Sequence, residues 1–300
     1  MGSVSSQENA TARHVSVREV VAVAYRFPLR SPGSILRLAW FPLLLAGLIL
    51  FVSLDSYFAD LAEFFRAPDT RIASVALGLM TAGIFVAAFL VVMVVVALTE
   101  LAFGQEPNRA WIYFRVQRVE WRLYAAILRF ALVLTAFLAS ASAISWAIAE
   151  ATGTGAGDAY RGGWLDWGTW IVVAAGTLFL TARIAFLMPA IAVAEKGPVA
   201  RRAWSLGRRD FPRLVLIVVL LALPGMVFQA VAEIVLRVGG VLPPVGAGTP
   251  VAQYPTLIRD FLPGFLAITV PSWLVHLPLF SAGAVAAYRQ LAASNGQKGA

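Results

Sequence analysis

Cysteine is absent from the 300-residue chain, histidine occurs only at positions 14 and 276, and charged residues make up 13% of the sequence. Without cysteine, the chain cannot form a disulfide, a thiolate nucleophile or a thiolate ligand for a metal. Two such distant histidines offer no basis for a metal site, so we expect no metal and no cofactor. The chain also lacks the H-E-x-x-H, G-x-S-x-G and G-x-x-x-x-G-K-[ST] patterns, so we do not expect an enzyme.

Apolar residues dominate instead, at 60% of the sequence and a mean hydropathy of +0.78. They form six long runs, and crossing a bilayer takes about 20 predominantly apolar residues. We therefore predict an all-α polytopic membrane bundle over residues 15–290, with six transmembrane helices, a disordered tail at 1–14 and a polar tail at 291–300. The predicted spans are about 35–54, 72–98, 123–149, 168–195, 211–238 and 261–288.

The basic residues predict the orientation of these spans. With both termini placed in the cytoplasm, 17 of the 24 Lys and Arg residues lie inside, 5 lie outside and 2 lie within spans. Basic residues favour the cytoplasmic side of a membrane protein, so we predict cytoplasmic termini. Anionic lipid headgroups also account for the net charge of +8, and we do not expect nucleic-acid binding.

Three amphipathic stretches beside the spans predict helices that lie in the cytoplasmic interface. The first covers 15–27 and should end at Pro28, because proline removes a backbone donor. The second lies within 106–122, and the third covers 198–209 with Val199, Ala203 and Leu206 opposite Arg201, Ser205 and Arg208. The arginines that we expect to contact anionic lipid are Arg201, Arg202, Arg208, Arg209, Arg109, Arg115 and Arg118.

Two of these connectors share letters that suggest an internal repeat. Each follows a span that ends in a glutamate, Glu100 or Glu195. The shared letters are Arg109-Ala110-Trp111 with Arg115, and Arg202-Ala203-Trp204 with Arg208. The plan would be a repeated unit of interfacial helix plus transmembrane hairpin, although four matched letters could also arise by chance.

Arg183 is the best candidate for a polar site inside the bilayer. It precedes Glu195 by twelve residues, which places it about 18 Å from the inner boundary of a continuous helix. The same arithmetic places His276 and Pro224-Gly225 at a similar depth, so these residues could line a midplane polar site. The alternative is a structural Arg183 that satisfies carbonyls freed by prolines. For Arg129 and Glu233, which lie near span ends, we expect contact with headgroups or with Arg237.

The stretch Arg183-x5-Pro189-Ala190-x-Ala192-x2-Glu195, followed by ARRAWSLGRR at 200–209, has a family likeness. It resembles the membrane domain attached to some bacterial glycerophosphoryl diester phosphodiesterases, and related stand-alone six-span inner-membrane proteins. The order Trp204-Ser205 departs from the Ser-Trp of that pattern. The resemblance covers about 183–225 and implies architecture rather than activity. In the fused proteins the activity belongs to a separate soluble barrel with paired histidines and metal-binding carboxylates, which we do not expect here.

Two functions remain open at this point. The first is a non-enzymatic integral protein of the bacterial inner membrane, acting in envelope or lipid homeostasis or as a membrane scaffold, with a basic inner-leaflet surface. The alternative is a small transporter or lipid-handling protein that uses the midplane site. Membrane lipids, anionic ones above all, are the expected partners. A protein partner that docks on the basic connector, or a homo-oligomer, stays open.

Overall fold

A computed structural model describes residues 14–66, 70–105, 113–151, 164–208, 210–240 and 254–296. All regular elements in these ranges are helical, which confirms the all-α class. A 3-10 turn at Ala185–Leu187 separates α5 from α6. The helices are α1 (Val17–Arg30), α2 (Pro32–Arg66), α3 (Thr70–Ala102), α4 (Arg118–Ala151), α5 (Trp164–Arg183), α6 (Met188–Ala194), α7 (Val199–Leu206), α8 (Phe211–Val238) and α9 (Tyr254–Gly296).

Six helical segments are long and apolar enough to cross a membrane, which agrees with the predicted number of spans. They are Pro32–Phe65, Ser74–Ala102, Arg118–Ile148, Trp167–Ala194, Phe211–Val238 and Pro255–Ser294. Large apolar side chains on them remain exposed, for example Leu132 at 71% and Ile171 at 65%. Apolar surface of this extent is typical of a protein whose solvent is lipid. The architecture is that of a multi-pass membrane protein.

Several helices are longer than the apolar runs that predicted them. Helix α2 has 35 residues and continues to Arg66, so the predicted loop at 55–71 is wrong for residues 55–66. Helix α9 has 43 residues, passes through three prolines and ends at Gly296, so the first residues of the predicted polar tail, 291–296, are helical. Charged residues end an apolar run, but they do not break a helix.

Helix α1 confirms the first amphipathic prediction but not its end. The helix continues through Pro28 to Arg30, because a proline in the last turn costs only one backbone hydrogen bond. Val20 and Ala24 are buried at 0% exposure. The exposed face carries Arg18, Glu19 and Arg26. Residues 1–13 of the predicted tail lie outside the described residues.

The chain divides into two compact units, and four helices, α1, α4, α8 and α9, contribute residues to both. The first unit comprises Met1–Val23, Ala125–Val218 and Gly283–Ala300, and the second comprises Ala24–Tyr124 and Val219–Ala282. In the second unit, α2 and α3 pack together with α9 around Leu43, Leu98 and Trp273. A Cβ added at Gly83 of α3 would clash with Ser53 of α2. Small residues allow such close helix approach in membranes.

Candidate functional site

Arg183 ends α5, and the path from it to Glu195 is not one continuous α-helix. The chain does not continue as one helix to Glu195, because the 3-10 turn and the separate helix α6 follow Arg183. Pro189 has no N–H to donate to the carbonyl of Ala185, and the N–H of Met188 bonds that carbonyl instead in 3-10 fashion. The predicted depth of about 18 Å assumed a continuous α-helix, which the 3-10 turn interrupts, and the depth itself stays a prediction.

The guanidinium of Arg183 packs against the basic connector of the first unit. Its Cζ lies 4.5 Å from the ring centroid of Trp204 and 5.7 Å from that of Phe211, both within the range of cation–π contact. Nη1 donates to the carbonyl of Gly207 at 3.3 Å, at the C-terminal end of α7. A cation is favourable there, because the last carbonyls of a helix carry partial negative charge. Arg183 thus serves the Gly207 carbonyl rather than a carbonyl freed by Pro189 or Pro224.

This arginine is also closely confined. Arg183 is 9% exposed, and its Nε is a buried donor without a hydrogen-bond partner among the described residues. A Cβ added at Gly207 would lie 3.2 Å from the backbone oxygen of Arg183 and 3.3 Å from that of Ala203. Glycine at position 207 therefore lets the end of α7 approach α5 closely enough for the hydrogen bond.

Glu195 joins three elements of the first unit. Its two carboxylate oxygens each accept from Nε of Arg202 at 3.1 Å, and Oε1 also accepts from the hydroxyl of Tyr288 at 3.0 Å. Arg202 belongs to α7 and Tyr288 to α9. Because Glu195 neutralises Arg202, this arginine is a weaker candidate for lipid contact than the sequence suggested.

Helix α7 has the two faces that the sequence predicted. Val199, Ala203 and Leu206 are buried. Its outer face and the turn that follows carry Arg201, Trp204, Ser205 and Arg208, and all four are exposed. Among the described residues, Arg201, Arg208 and the equally exposed Arg118 form no ion pair. Arg109 and Arg209, the other two lipid candidates, lie outside the described residues.

The second connector differs from its prediction. Residues 113–117 have no regular secondary structure, so the predicted interfacial helix is wrong over this part. Arg115 donates to both carboxylate oxygens of Glu100 at 3.1 and 2.9 Å, and its Nε lies 3.6 Å from Glu120. Arg115 was expected to contact lipid, but these two carboxylates bind it instead. These contacts of Arg115, together with burial of Tyr113 against Leu38, fix the position of this irregular segment.

Glu120 is a structural residue of this connector that the sequence did not single out. It lies in the first turn of α4, is fully buried, and accepts the backbone N–H of Gln117 at 2.9 Å. An acid three residues after the N-cap often makes this bond, which is half of a capping box, so the signal was present in the letters. Nearby, the hydroxyl of Tyr113 is buried without a hydrogen-bond partner among the described residues. Burial raises the pKa of this tyrosine well above its usual value.

In the second unit, the structure brings Gly225 and His276 together. A Cβ added at Gly225 would clash with the imidazole ring, so helices α8 and α9 meet at this glycine. Pro224 leaves the carbonyl of Leu220 without its helical donor, and the hydroxyl of Tyr25 donates to that carbonyl at 2.8 Å. This agrees with the expectation that neighbouring groups satisfy carbonyls freed by proline. Arg183 belongs to the first unit, and a depth shared by all four residues stays a prediction.

One smaller prediction about charged residues fits the structure, and the headgroup contact of Arg129 stays a prediction. Arg237 donates to Glu233 at 2.9 and 2.7 Å, as expected for a carboxylate near the end of its span. Arg129 is exposed on α4, where its long side chain can extend towards headgroups. No group of three or more acidic or histidine side chains among the described residues could hold a metal ion.

No family model, curated protein or solved structure matches the chain. The class of protein is therefore defined by the structure itself, as a helical protein of the multi-pass membrane type. Its most distinctive chemical feature is the outer face of α7, where basic and aromatic side chains lie together.

Proposed function

We propose that the protein is a non-enzymatic integral protein of the bacterial inner membrane that binds anionic lipid and acts in envelope or lipid homeostasis or as a membrane scaffold. The observation that carries this proposal is the outer face of α7 and the turn after it, where Arg201, Trp204 and Arg208 are exposed at spacings of three and four residues. Arginine and tryptophan suit the headgroup layer, where one supplies charge and the other an amphipathic ring. The resemblance to the phosphodiesterase membrane domain supports a six-span inner-membrane architecture, and the distribution of Lys and Arg supports cytoplasmic termini.

Arg201 and Arg208 should contribute more to lipid binding than Arg202. A basic side chain near an anionic membrane surface contributes about 1 kcal/mol of attraction, and salt weakens it within a Debye length. Arg201 and Arg208 retain their full charge for this purpose, whereas Glu195 compensates that of Arg202. Lipid contact should therefore depend on Arg201 and Arg208 more strongly than on Arg202.

The experiment compares Arg201→Gln with Arg202→Gln, two variants with the same change of charge in the same helix. We expect Arg201→Gln to weaken binding of phosphatidylglycerol about fivefold, because 1 kcal/mol corresponds to that factor. Arg202→Gln should weaken it less. Native mass spectrometry of the detergent-purified protein, titrated with phosphatidylglycerol, measures both. Wild-type binding in an Arg201→Gln/Arg208→Gln protein that has lost its cellular function would instead indicate a docking site for a cytoplasmic protein.

The predicted orientation has a separate test. Reporter fusions after residues 112, 205 and 295 should report cytoplasm, and fusions after 60, 160 and 248 should report the opposite side. A cytoplasmic signal at 60, 160 or 248 would overturn the six-span orientation.

A small transporter or lipid-handling protein is the second candidate, and the buried, partly unpartnered guanidinium of Arg183 favours it. The tight contact between Gly225 and His276 counts against a ligand between those two residues. The test is solute or lipid movement in proteoliposomes, where Arg183→Lys keeps the charge but loses the planar fork. Transport that is lost in Arg183→Lys, with retained folding, would support this candidate.

A further inference from the structure

A polar cavity of about 640 Å³ lies in the first unit, apart from α7 and Arg183. Its walls come from the start of α1, the first turn of α8 and the end of α9, which are distant in sequence. The polar lining residues are His14, Ser16, Glu19, Arg213, Gln290 and Ser294. The volume falls within the range of small-molecule sites, about 300–1,000 Å³.

The polar side chains of this cavity are oriented by contacts among themselves. Gln290 accepts the backbone N–H of Ser16 at 2.8 Å and donates to Glu19 at 3.0 Å. Arg213 donates through Nη1 to the carbonyl of Val15 at 3.1 Å. A ligand that binds here would not have to order these side chains, which lowers the entropic cost of binding.

A contact with a buried carboxylate orients the side chain of His14. Its Nδ1 lies 2.8 Å from Oδ1 of Asp210, and Asp210 is only 3% exposed. His14 was predicted to belong to the disordered tail, so this contact is a correction. It brings the segment before α1 to the start of α8, and thereby forms one wall of the cavity.

The cavity carries opposite charges on its walls. Arg213 has five N–H donors and uses one of them on Val15, so further donors can serve an anionic group. Glu19 accepts from Gln290 through Oε2, and its other oxygen can accept from a cation. Arginine suits phosphate through its planar fork, and a carboxylate suits a primary ammonium group. A ligand with both groups would satisfy both walls.

We propose that this cavity binds a small zwitterion, with its phosphate at Arg213 and its primary ammonium group at Glu19. Phosphoethanolamine has this chemistry, either as the headgroup of a phospholipid or as a soluble ester. The site goes beyond the proposed function, because a zwitterion carries no net charge and would not be selected by the basic face of α7. Only the lipid source depends on the membrane placement.

The experiment titrates the full-length protein in neutral detergent by calorimetry with three probes. Dihexanoyl phosphatidylethanolamine carries both charged groups and two short chains, and glycerophosphoethanolamine carries both groups without chains. Dihexanoyl phosphatidylglycerol has the phosphate but no ammonium group. We expect the first to bind more tightly than the third. Binding of the first alone identifies a lipid headgroup, and equal binding of the first two identifies a soluble zwitterion. Equal binding of the first and third probes to the Arg201→Gln/Arg208→Gln protein, which lacks the basic face of α7, or no binding, would overturn the proposal.

Two variants test the roles of the charged walls. Arg213→Gln and Glu19→Gln should each weaken the ethanolamine probe about tenfold or more, since hydrogen bonds to charged groups are the strong ones. Lys196→Gln, which changes an exposed lysine of the same unit outside the cavity, should leave it unchanged. If Glu19→Gln bound as well as wild type, the site would be a simple anion site and the proposal would be wrong.

A further variant separates binding from folding. Ala293 lines the cavity and is exposed, so Ala293→Phe fills space without removing a charge or a hydrogen bond. We expect the thermal unfolding midpoint of this variant to match wild type while the ethanolamine probe binds at least tenfold more weakly. Normal binding to a folded Ala293→Phe protein would place the ligand elsewhere.

Discussion

The two connectors use the same pair of residue types in different surroundings. In the second unit, Arg115 lies between Glu100 and Glu120, which are 7% and 0% exposed. In the first unit, Arg202 pairs with Glu195, and their side chains are 41% and 26% exposed. In the Arg115 cluster, two carboxylates face one guanidinium. In the Arg202 cluster, the carboxylate of Glu195 accepts from the guanidinium of Arg202 and from the hydroxyl of Tyr288.

The two clusters should differ in the cost of removing the arginine, because the carboxylates left behind differ in their access to water. Water reaches the Glu195 pair and screens it, and exposed pairs contribute about 0–1 kcal/mol. In the Arg115 cluster the two carboxylates are buried, although the Arg115 side chain is 28% exposed, so removal of the arginine leaves two carboxylates that water reaches only in part. An arginine and a glutamate can therefore contribute little or much to the free energy of unfolding, depending on how deeply the pair is buried.

Arg115→Leu should have the largest effect on stability. It leaves Glu100 and Glu120 without their shared cation, and breaking a buried pair costs about 3–5 kcal/mol. The measurement is the free energy of unfolding from denaturant titration in detergent. Arg118→Leu, at an exposed neighbouring arginine, provides the control. A loss below about 1 kcal/mol in Arg115→Leu would remove the distinction between the two clusters.

Tyr113→Phe should stabilise the protein at neutral pH. The hydroxyl of Tyr113 is buried without a hydrogen-bond partner among the described residues, and an unsatisfied buried polar group costs about 1–3 kcal/mol. Phenylalanine keeps the ring that packs against Leu38 and Ala97. Denaturant titration at pH 7 checks the gain, with Tyr57→Phe as the matched change at another tyrosine. A destabilised Tyr113→Phe protein would mean that the hydroxyl has a partner.

The same tyrosine predicts an alkaline response. Burial raises the pKa of Tyr113, so above the ordinary pKa of about 10 the unfolded chain loses this proton while the folded chain keeps it. The folded state then binds more protons, and stability falls as pH rises, by up to about 1.4 kcal/mol per pH unit. Unfolding midpoints between pH 9 and 11 should fall less steeply for Tyr113→Phe than for wild type. Identical slopes would contradict the buried position of this hydroxyl.

Arg202→Leu should have the smallest effect, at most about 1 kcal/mol, because its pair with Glu195 is partly exposed. Tyr288 continues to donate to Glu195, so the carboxylate keeps one partner. Raising the salt concentration should reduce even this small difference between the variant and wild type. A loss as large as that of Arg115→Leu, measured by the same titration, would show that burial does not distinguish the two clusters.

The sequence by itself determined the helical class and the number of long apolar spans. Bilayer thickness imposes a length on apolar runs, and such runs can be counted without knowledge of any contact. The two faces of α7 were equally accessible, since residues three and four positions apart share one side of a helix. These features depend on local periodicity, which the letters contain.

Only the tertiary structure decided which charges distant in sequence pair and where helices end. Arg115 reaches Glu100 across fifteen residues, and His14 reaches Asp210 across 196, so neither contact is local. The depth predicted for Arg183 assumed a continuous helix. In the structure a 3-10 turn follows Arg183, and its guanidinium lies against Trp204 and Gly207. Ion pairs depend on distance and burial in three dimensions, and periodicity along the chain specifies neither.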